Sequence, residues 1–174
     1  SIDGTIKGPE LFKVNDSFVF FNPKVGITHN INDLNNLYFS YGKSKREPNR
    51  SDYKNGNPVS ETLYDFEFGW RYLNNMINIK SNFYWMKYFN QLALTGAIDD
   101  VGLPIRENVG NSRRVGLEID TLIKFNNSLS WIFNLSVSSN KNLDFFYERD
   151  GILESLGKTN LSFSPNLISA SQIN

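Results

Sequence analysis

Between Glu61 and Leu73 the chain reads ETLYDFEFGWRYL, with Tyr64, Phe66, Phe68, Trp70 and Tyr72 on even positions and Asp65, Glu67, Gly69 and Arg71 between them. An apolar residue at every second position is the signature of a β-strand with one apolar and one polar face. Here the apolar face is entirely aromatic. A soluble sandwich hides such a face against a second sheet, whereas an outer-membrane barrel turns it to lipid and keeps the charges in a wet interior.

The same period recurs along the chain. From Phe18 the run FVFFNPKVGITHN is strand-like, with Pro23 marking a bulge or rim position, and Leu37, Phe39 and Tyr41 alternate with Tyr38, Ser40 and Gly42. Ile77, Ile79, Phe83 and Trp85 open a long strand in MINIKSNFYWMKYFNQLAL. Val115, Leu117, Ile119, Thr121, Ile123 and Phe125 alternate with Arg114, Gly116, Glu118, Asp120, Leu122 and Lys124; Leu129, Trp131, Phe133, Leu135 and Val137 follow. TNLSFSPNLISA reads as a last partial strand, and residues 1–15 as a strand end with a loop.

Connections are of two kinds. Tight Asn-rich turns are expected near 31–36, 73–76 and 126–128, and long polar loops near 43–60, 95–112 and 139–158. Short turns at one end and long loops at the other are the asymmetry of an outer-membrane barrel. Trp70, Tyr72, Phe125 and Trp131 flank the tight turns, where amphipathic rings form an interfacial girdle; packing across hairpin ends is the plainer explanation.

Composition narrows the function classes. The 174 residues are 40% hydrophobic and 14% aromatic, and no run of about 18 apolar residues predicts a transmembrane helix. A mean hydropathy of −0.39 is compatible with a barrel, whose strands give only alternate residues to lipid. Formal net charge is zero, which removes the basic footprint of a nucleic-acid binder. Absence of Cys leaves no disulfide framework or thiolate metal site, and a single His, His29, leaves little scope for imidazole-based metal binding or a triad. No signal peptide opens the sequence, and it ends in a strand-like alternation, LISASQIN, so a segment of a longer chain is expected.

In order, SKREPNRSDY, GNPVSETLYDFEFGWRYL, FYWMKYFNQLALTG, IRENVGNSRRVGLEIDTLIKF and FSPNLI resemble the C-terminal barrel portion of a siderophore-type TonB-dependent outer-membrane receptor. Arg46 and Pro48 fit the family's rim motif, and Glu61 and Thr62 its Pro-Glu-Thr motif, with Ser60 replacing the proline. Glu67, Gly69, Arg71 and Tyr72 fit the following strand; Asn108 or Asn111, with Gly116 and Glu118, fit a later one. The match covers most of 20–168, and the Asn, Lys and Ile usage resembles Bacteroidetes-type receptors.

The resemblance implies an all-β fold: an antiparallel up-and-down transmembrane β-barrel segment, about seven strands of a roughly 22-stranded barrel. Residues 1–174 are then one partial β-barrel domain, without the plug domain or the C-terminal strands. It implies outer-membrane localisation and import of a scarce nutrient, foremost a ferric siderophore. The implied partners are outer-membrane lipid, the receptor's own plug domain, the TonB complex reached through the absent N-terminal region, and a ferric chelate or similar small ligand, but no nucleic acid.

Candidate residues follow in two groups. Arg46, Arg50, Tyr53, Arg106, Arg113, Tyr147 and Arg149 lie on expected outer loops, where guanidinium forks suit an anionic chelate; an ordinary hydrophilic surface is the alternative. Asp65, Glu67, Arg71, Lys80, Arg114, Glu118 and Lys124 fall on the polar strand face, and the resemblance gives them the lumen and the plug. Carboxylates Asp99, Asp100, Asp144, Glu148 and Asp150 read as solvated loop charge, so neither catalysis nor a metal or cofactor is expected, and the chain is not expected to be an enzyme. The haem-receptor boxes of the family are not matched, because Lys45-Arg46-Glu47-Pro48 and Asn57-Pro58-Val59 have no His between them. A soluble β-sandwich or lectin-like binding module, with the aromatic faces as its core, is the competing expectation.

Overall fold

The computed structural model describes residues 2–6, 12–55, 57–98, 102–149 and 152–174, and for 2–6, 12–14, 54–55, 96–97, 147–149 and 153 the backbone alone. The described chain is all β, apart from one 3-10 turn at Asp52–Asn55. The strands are β1 (Ile2–Ile6), β2 (Phe12–Asp16), β3 (Lys24–Asn30), β4 (Asn35–Arg46), β5 (Glu61–Leu73), β6 (Ile77–Phe89), β7 (Leu92–Ile98), β8 (Pro104–Asn108), β9 (Ser112–Lys124), β10 (Ser130–Arg149), β11 (Ile152–Asn160) and β12 (Leu167–Ile173).

Eight of them form one antiparallel sheet in the order β11-β10-β9-β6-β5-β4-β3, with β12 also on β10. Strands β11 and β12 pair with the two ends of β10, Lys141–Arg149 and Trp131–Val137, so they occupy one position beside it. Seven strand positions result, as many as the barrel reading expects. β1–β2 and β7–β8 are separate two-stranded ribbons.

Register fixes what each face carries. Ile27, Phe39, Phe68, Phe83, Leu117, Val137 and Leu167 are successive cross-strand partners from β3 to β12. All seven are exposed, the five central ones by 41–49%. The buried hydrophobic residues among those described are Tyr53, Leu92 and Val109, which lie outside the wall strands. This overturns the sandwich expectation: no second layer among the described residues covers the rings, and each exposed side chain leaves on the order of 1 kcal/mol of burial unrealised in water. One face apolar and exposed, the other polar, is the character of a stretch of β-barrel wall, in which hydrocarbon takes the place of a second protein layer.

The tight turns fall where expected, and one device builds them. Asn32 Oδ1 accepts from the Leu34 and Asn35 amides at 3.0 and 2.9 Å, Asn74 Oδ1 from Met76 and Ile77 at 2.8 and 2.7 Å, and Asn126 Oδ1 from Ser128 at 2.8 Å. Each is an Asn side chain standing in for a backbone acceptor three or four residues before the strand resumes. The flanking rings use their polar tips here. Trp70 Nε1 donates to Asn35 Oδ1 at 3.1 Å, Trp131 Nε1 to Ser171 Oγ at 2.9 Å, and Asn74 Nδ2 to the Tyr72 hydroxyl at 2.8 Å.

The other end departs from expectation. Residues 43–46 belong to β4; the stretch 95–112 includes most of the β7–β8 ribbon; and 139–149 and 152–158 belong to the paired extension of β10 with β11. Beyond the apolar band both strand faces are wet, so alternation vanishes while the ladder continues. β6 ends at Phe89 because Asn90 adopts φ 51°, a left-handed kink that the apolar run across it conceals. No strand covers 17–23, and residues 2–6 pair with 12–16. The last strand is two: Pro165, which has no N–H to give, sits in the 161–166 interruption, spanned by Leu161 N to Asn140 O at 3.1 Å and Ser138 N to Asn166 O at 2.7 Å.

Two glycines are required by neighbouring rings. A Cβ on Gly69 would fall inside the Tyr38 ring, and one on Gly116 would strike the Tyr84 phenol. The Tyr38 hydroxyl then reaches past Gly69 to donate to Asn82 Oδ1 at 2.8 Å, and the Arg71 guanidinium stands 5.0 Å from its ring centroid. Gly69→Ala in the complete receptor is expected to cost about 1–3 kcal/mol by overpacking, read as a lower thermal unfolding midpoint in detergent. Adding Tyr38→Ala removes the clash and returns part of the loss. An unchanged midpoint for Gly69→Ala alone contradicts this packing.

Candidate functional site

The polar face is built of cross-strand rows. From β4 to β10 one row reads Asn36, Arg71, Lys80, Asp120, Asn134; the next Tyr38, Gly69, Asn82, Glu118, Ser136; then Ser40, Glu67, Tyr84, Gly116, Ser138; then Gly42, Asp65, Met86, Arg114, Asn140. Asp65, Glu67, Arg71, Lys80, Arg114 and Glu118 therefore share this face, and Lys124 lies on it near the turns, paired in register with Ser130. Opposite charges are placed in register where Lys80 partners Asp120, whose carboxylate accepts from Asn134 Nδ2.

Above these rows the sheet meets the β7–β8 ribbon in a knot of charged and amide groups. Arg46 and Glu61 are cross-strand partners, with Arg46 Nη2 3.5 Å from Glu61 Oε1, while Glu61 Oε2 accepts the Leu92 amide at 2.9 Å. Arg106 Nη2 donates to the Leu92 carbonyl at 2.9 Å, and its Nε lies 4.0 Å from Asp52 Oδ1. Asn108 clamps the segment before β5: its Oδ1 accepts from Val59 N at 2.8 Å, and its Nδ2 donates to Val59 O and Asn90 O at 3.0 and 2.7 Å. Asn111, the other candidate for the motif position, donates to Asp144 Oδ2 at 3.0 Å.

The knot encloses a cleft of about 390 Å³, lined among others by Arg46, Arg106, Arg114, Tyr88 and Phe145. Phe163, at φ 55° and 94% exposed, projects at its margin from the 161–166 interruption. Four residues of the lining, Gln91, Arg106, Arg114 and Asn142, each hold a buried polar atom without a hydrogen-bond partner among the described residues. The Arg114 guanidinium lies 4.6 Å from the Tyr88 ring centroid. A second cleft of about 400 Å³ continues along the polar face past Glu67, Asn82 and Glu118, sharing Arg114 and Ser164 with the first.

The expected ligand contacts are thus distributed. Arg46 and Arg106 enter the cleft, each already tied to protein oxygen. Arg50 is an exposed residue of the turn before Asp52–Asn55, and Arg113 points to the apolar face as the partner of Lys87 and Lys141. Tyr53 is 4% exposed and donates to Asp16 Oδ2 at 2.8 Å, which docks the 3-10 turn on the end of β2. The side chains of Tyr147, Glu148 and Arg149 lie outside the described residues, as do Asp99, Asp100 and Asp150. No group of three His, Cys, Asp or Glu able to hold a metal occurs among those described. Tyr88, Gln91 and Phe163 escape sequence reasoning, because only the fold brings the end of β6 and the 161–166 interruption together.

The family described as TonB dependent receptor-like, beta-barrel, matches residues 3–169. Comparison with curated protein sequences gives no match. Among solved structures, the ferric yersiniabactin uptake receptor FyuA from Yersinia pestis aligns with TM-score 0.60 and 15% identity, over 87% of this chain and 22% of its own. The alcaligin outer membrane receptor FauA from Bordetella pertussis aligns with TM-score 0.57 and 13% identity, over 94% and 27%. The copper transporter OprC gives TM-score 0.59 and 17% identity, over 68% and 20%. The chain spans about a quarter or less of the length of each, and the likeness is one of fold.

Burial and the Asp16 carboxylate push the Tyr53 phenol up to about 12. A raised folded value favours the protonated phenol, so its stabilisation is complete below the ordinary tyrosine value near 10 and fades as pH rises through about 12. The difference in unfolding midpoint between the complete receptor and its Tyr53→Phe variant is therefore expected to be constant from pH 7 to 9 and to shrink between pH 10 and 12. A difference independent of pH up to 12 contradicts the Tyr53–Asp16 contact.

Proposed function

Because the chain belongs to the TonB-dependent receptor-like β-barrel family, we propose that it forms part of the wall of an outer-membrane importer that binds a scarce nutrient at its outer rim. The polar face is then the lumen, and the clefts sharing Arg114 form part of the route from the rim inward. The nutrient is an anionic metal chelate, foremost a ferric siderophore. TonB drives its entry through the receptor's own plug domain, with no chemistry done on the ligand.

One observation carries the ligand class: three guanidinium groups, Arg46, Arg106 and Arg114, line one cleft, and two of them keep a buried Nε without a hydrogen-bond partner among the described residues. Guanidinium forks bind carboxylate, hydroxamate and catecholate oxygens with charge assistance. Tyr88 and Phe163 add aromatic surface against a chelate's organic shell. Uptake of ferric yersiniabactin by one structural neighbour supports the same class. Asp65, Glu67, Arg71, Lys80, Glu118 and Lys124 would meet the plug and its water.

Arg114→Gln in the complete receptor is expected to weaken ferric-chelate binding about 10- to 100-fold, the worth of one charge-assisted contact, while the barrel still assembles. Fluorescence titration with a panel of ferric siderophores reads it, and a gel-mobility shift on heating confirms the barrel. Unchanged affinity across a panel that the wild type binds removes Arg114 from the site. Growth of a strain lacking the whole receptor on every iron source would move the ligand to cobalamin, a glycan or a peptide.

A further inference from the structure

The apolar face of the wall is not free of charge: among the described residues of β4, β5, β6 and β9, and of β10 as far as Asn142, the charged side chains on this face are all cations, and all stand at one end. Lys43, Tyr64, Lys87, Arg113 and Lys141 are successive cross-strand partners on β4, β5, β6, β9 and β10. Lys45 stands one step further out, in register with Thr62. At about 4.8 Å per strand, the five positions span about 19 Å of the barrel's circumference. Every Asp and Glu of these strands up to Glu118 and Asp120 falls on the opposite face.

The level of this row is set by the row beneath it, Tyr41, Phe66, Trp85, Val115 and Ser139, the last that is mainly apolar. Ring contacts hold part of it down. Lys43 Nζ lies 5.6 Å from the Tyr64 ring centroid and Lys87 Nζ 4.7 Å from that of Phe89, so the stems cover apolar surface while the ammonium groups stand at its edge. Lys141 donates to Asn160 Oδ1, a neutral partner. Neither Arg46–Glu61 nor Arg106–Asp52 involves the row, and among the described residues no carboxylate pairs with it. At the turn end, the same face presents Ile77, Ile123 and Trp131.

Cations this close repel one another, and at the border of a low-dielectric layer that repulsion is poorly screened. A row of this kind is stable against an array of fixed anions at the same height. We propose that it is a docking surface for the phosphate groups of lipid headgroups in the leaflet at the long-hairpin rim, with Arg113 forking one phosphate between Lys87 and Lys141. It rests on the reading above only in that the apolar face lies in lipid, and it holds whatever ligand the cleft takes.

The test uses the complete receptor, stripped in a neutral detergent and titrated with phosphatidylglycerol or phosphatidylcholine while bound lipid is counted by native mass spectrometry. Wild type is expected to retain phosphatidylglycerol preferentially, and Lys87→Gln/Arg113→Gln/Lys141→Gln to lose that preference by about 10- to 100-fold. Lys87→Arg/Lys141→Arg, which keeps the charge, should behave as wild type, and the heat-dependent gel shift shows that each variant is a folded barrel. Retained preference in the folded triple variant overturns the proposal. So does complete displacement of the lipid by millimolar inorganic phosphate, which would make the row a site for free anions. Ferric-chelate binding is measured on the same samples: its absence with the lipid preference intact counts against the transport reading alone.

Discussion

Hydrocarbon offers no partner to a backbone amide or carbonyl, so a chain that crosses it must satisfy those groups strand to strand. The uninterrupted antiparallel ladder from β3 through β10 meets that demand, with register kept over twelve or thirteen residues between the long strands. Once the ladder is fixed, side chains sort themselves by parity. Phe66 and Phe68 must lie on one face and Glu67 on the other, and the same holds for Leu117 and Glu118. A slip of one residue would carry the carboxylates of β5 and β9 into lipid.

The same ladder assembles the site. Arg46 meets Glu61 because β4 and β5 bring together residues separated by a polar connection and a 3-10 turn. Glu61 then reaches the Leu92 amide, Arg106 the Leu92 carbonyl and Asn108 the Val59 backbone, so that the β7–β8 ribbon is held over the end of the wall. A cleft with inward guanidinium groups is the consequence. Wall rows of small and large residues do comparable work below it: Gly69 and Gly116 leave room for the Tyr38 and Tyr84 rings, and the Tyr38 hydroxyl crosses Gly69 to Asn82.

What the sequence discloses depends on which solvent a segment faces. Where one face meets hydrocarbon, alternation is strict, and the strands at 61–73 and 115–124 and the three Asn turns are legible. Where both faces meet water, as in the far half of β10 and in β11, polar residues pair as a ladder yet read as loop. Asn90 and Pro165 break strands through backbone geometry that no hydropathy pattern records. Glu61, Arg106 and Asn108 are visible as residue types but not as a site, because their partners are amides and carbonyls chosen by register. The cationic row at Lys87, Arg113 and Lys141 is hidden for the same reason: the three residues are remote in sequence and adjacent only across strands.

Spin-label accessibility measures the solvent of each face most directly. The chain contains no Cys, so a thiol introduced into this segment is its sole attachment point there. With the complete receptor in lipid bilayers, labels at Phe68, Phe83 and Leu117 are predicted to relax with dissolved oxygen and to be shielded from a water-soluble nickel chelate, while labels at Glu67, Tyr84 and Glu118 show the reverse. Equal access of the nickel chelate to both sets, or shielding of the second set alone, would contradict a wall whose rings stand in hydrocarbon.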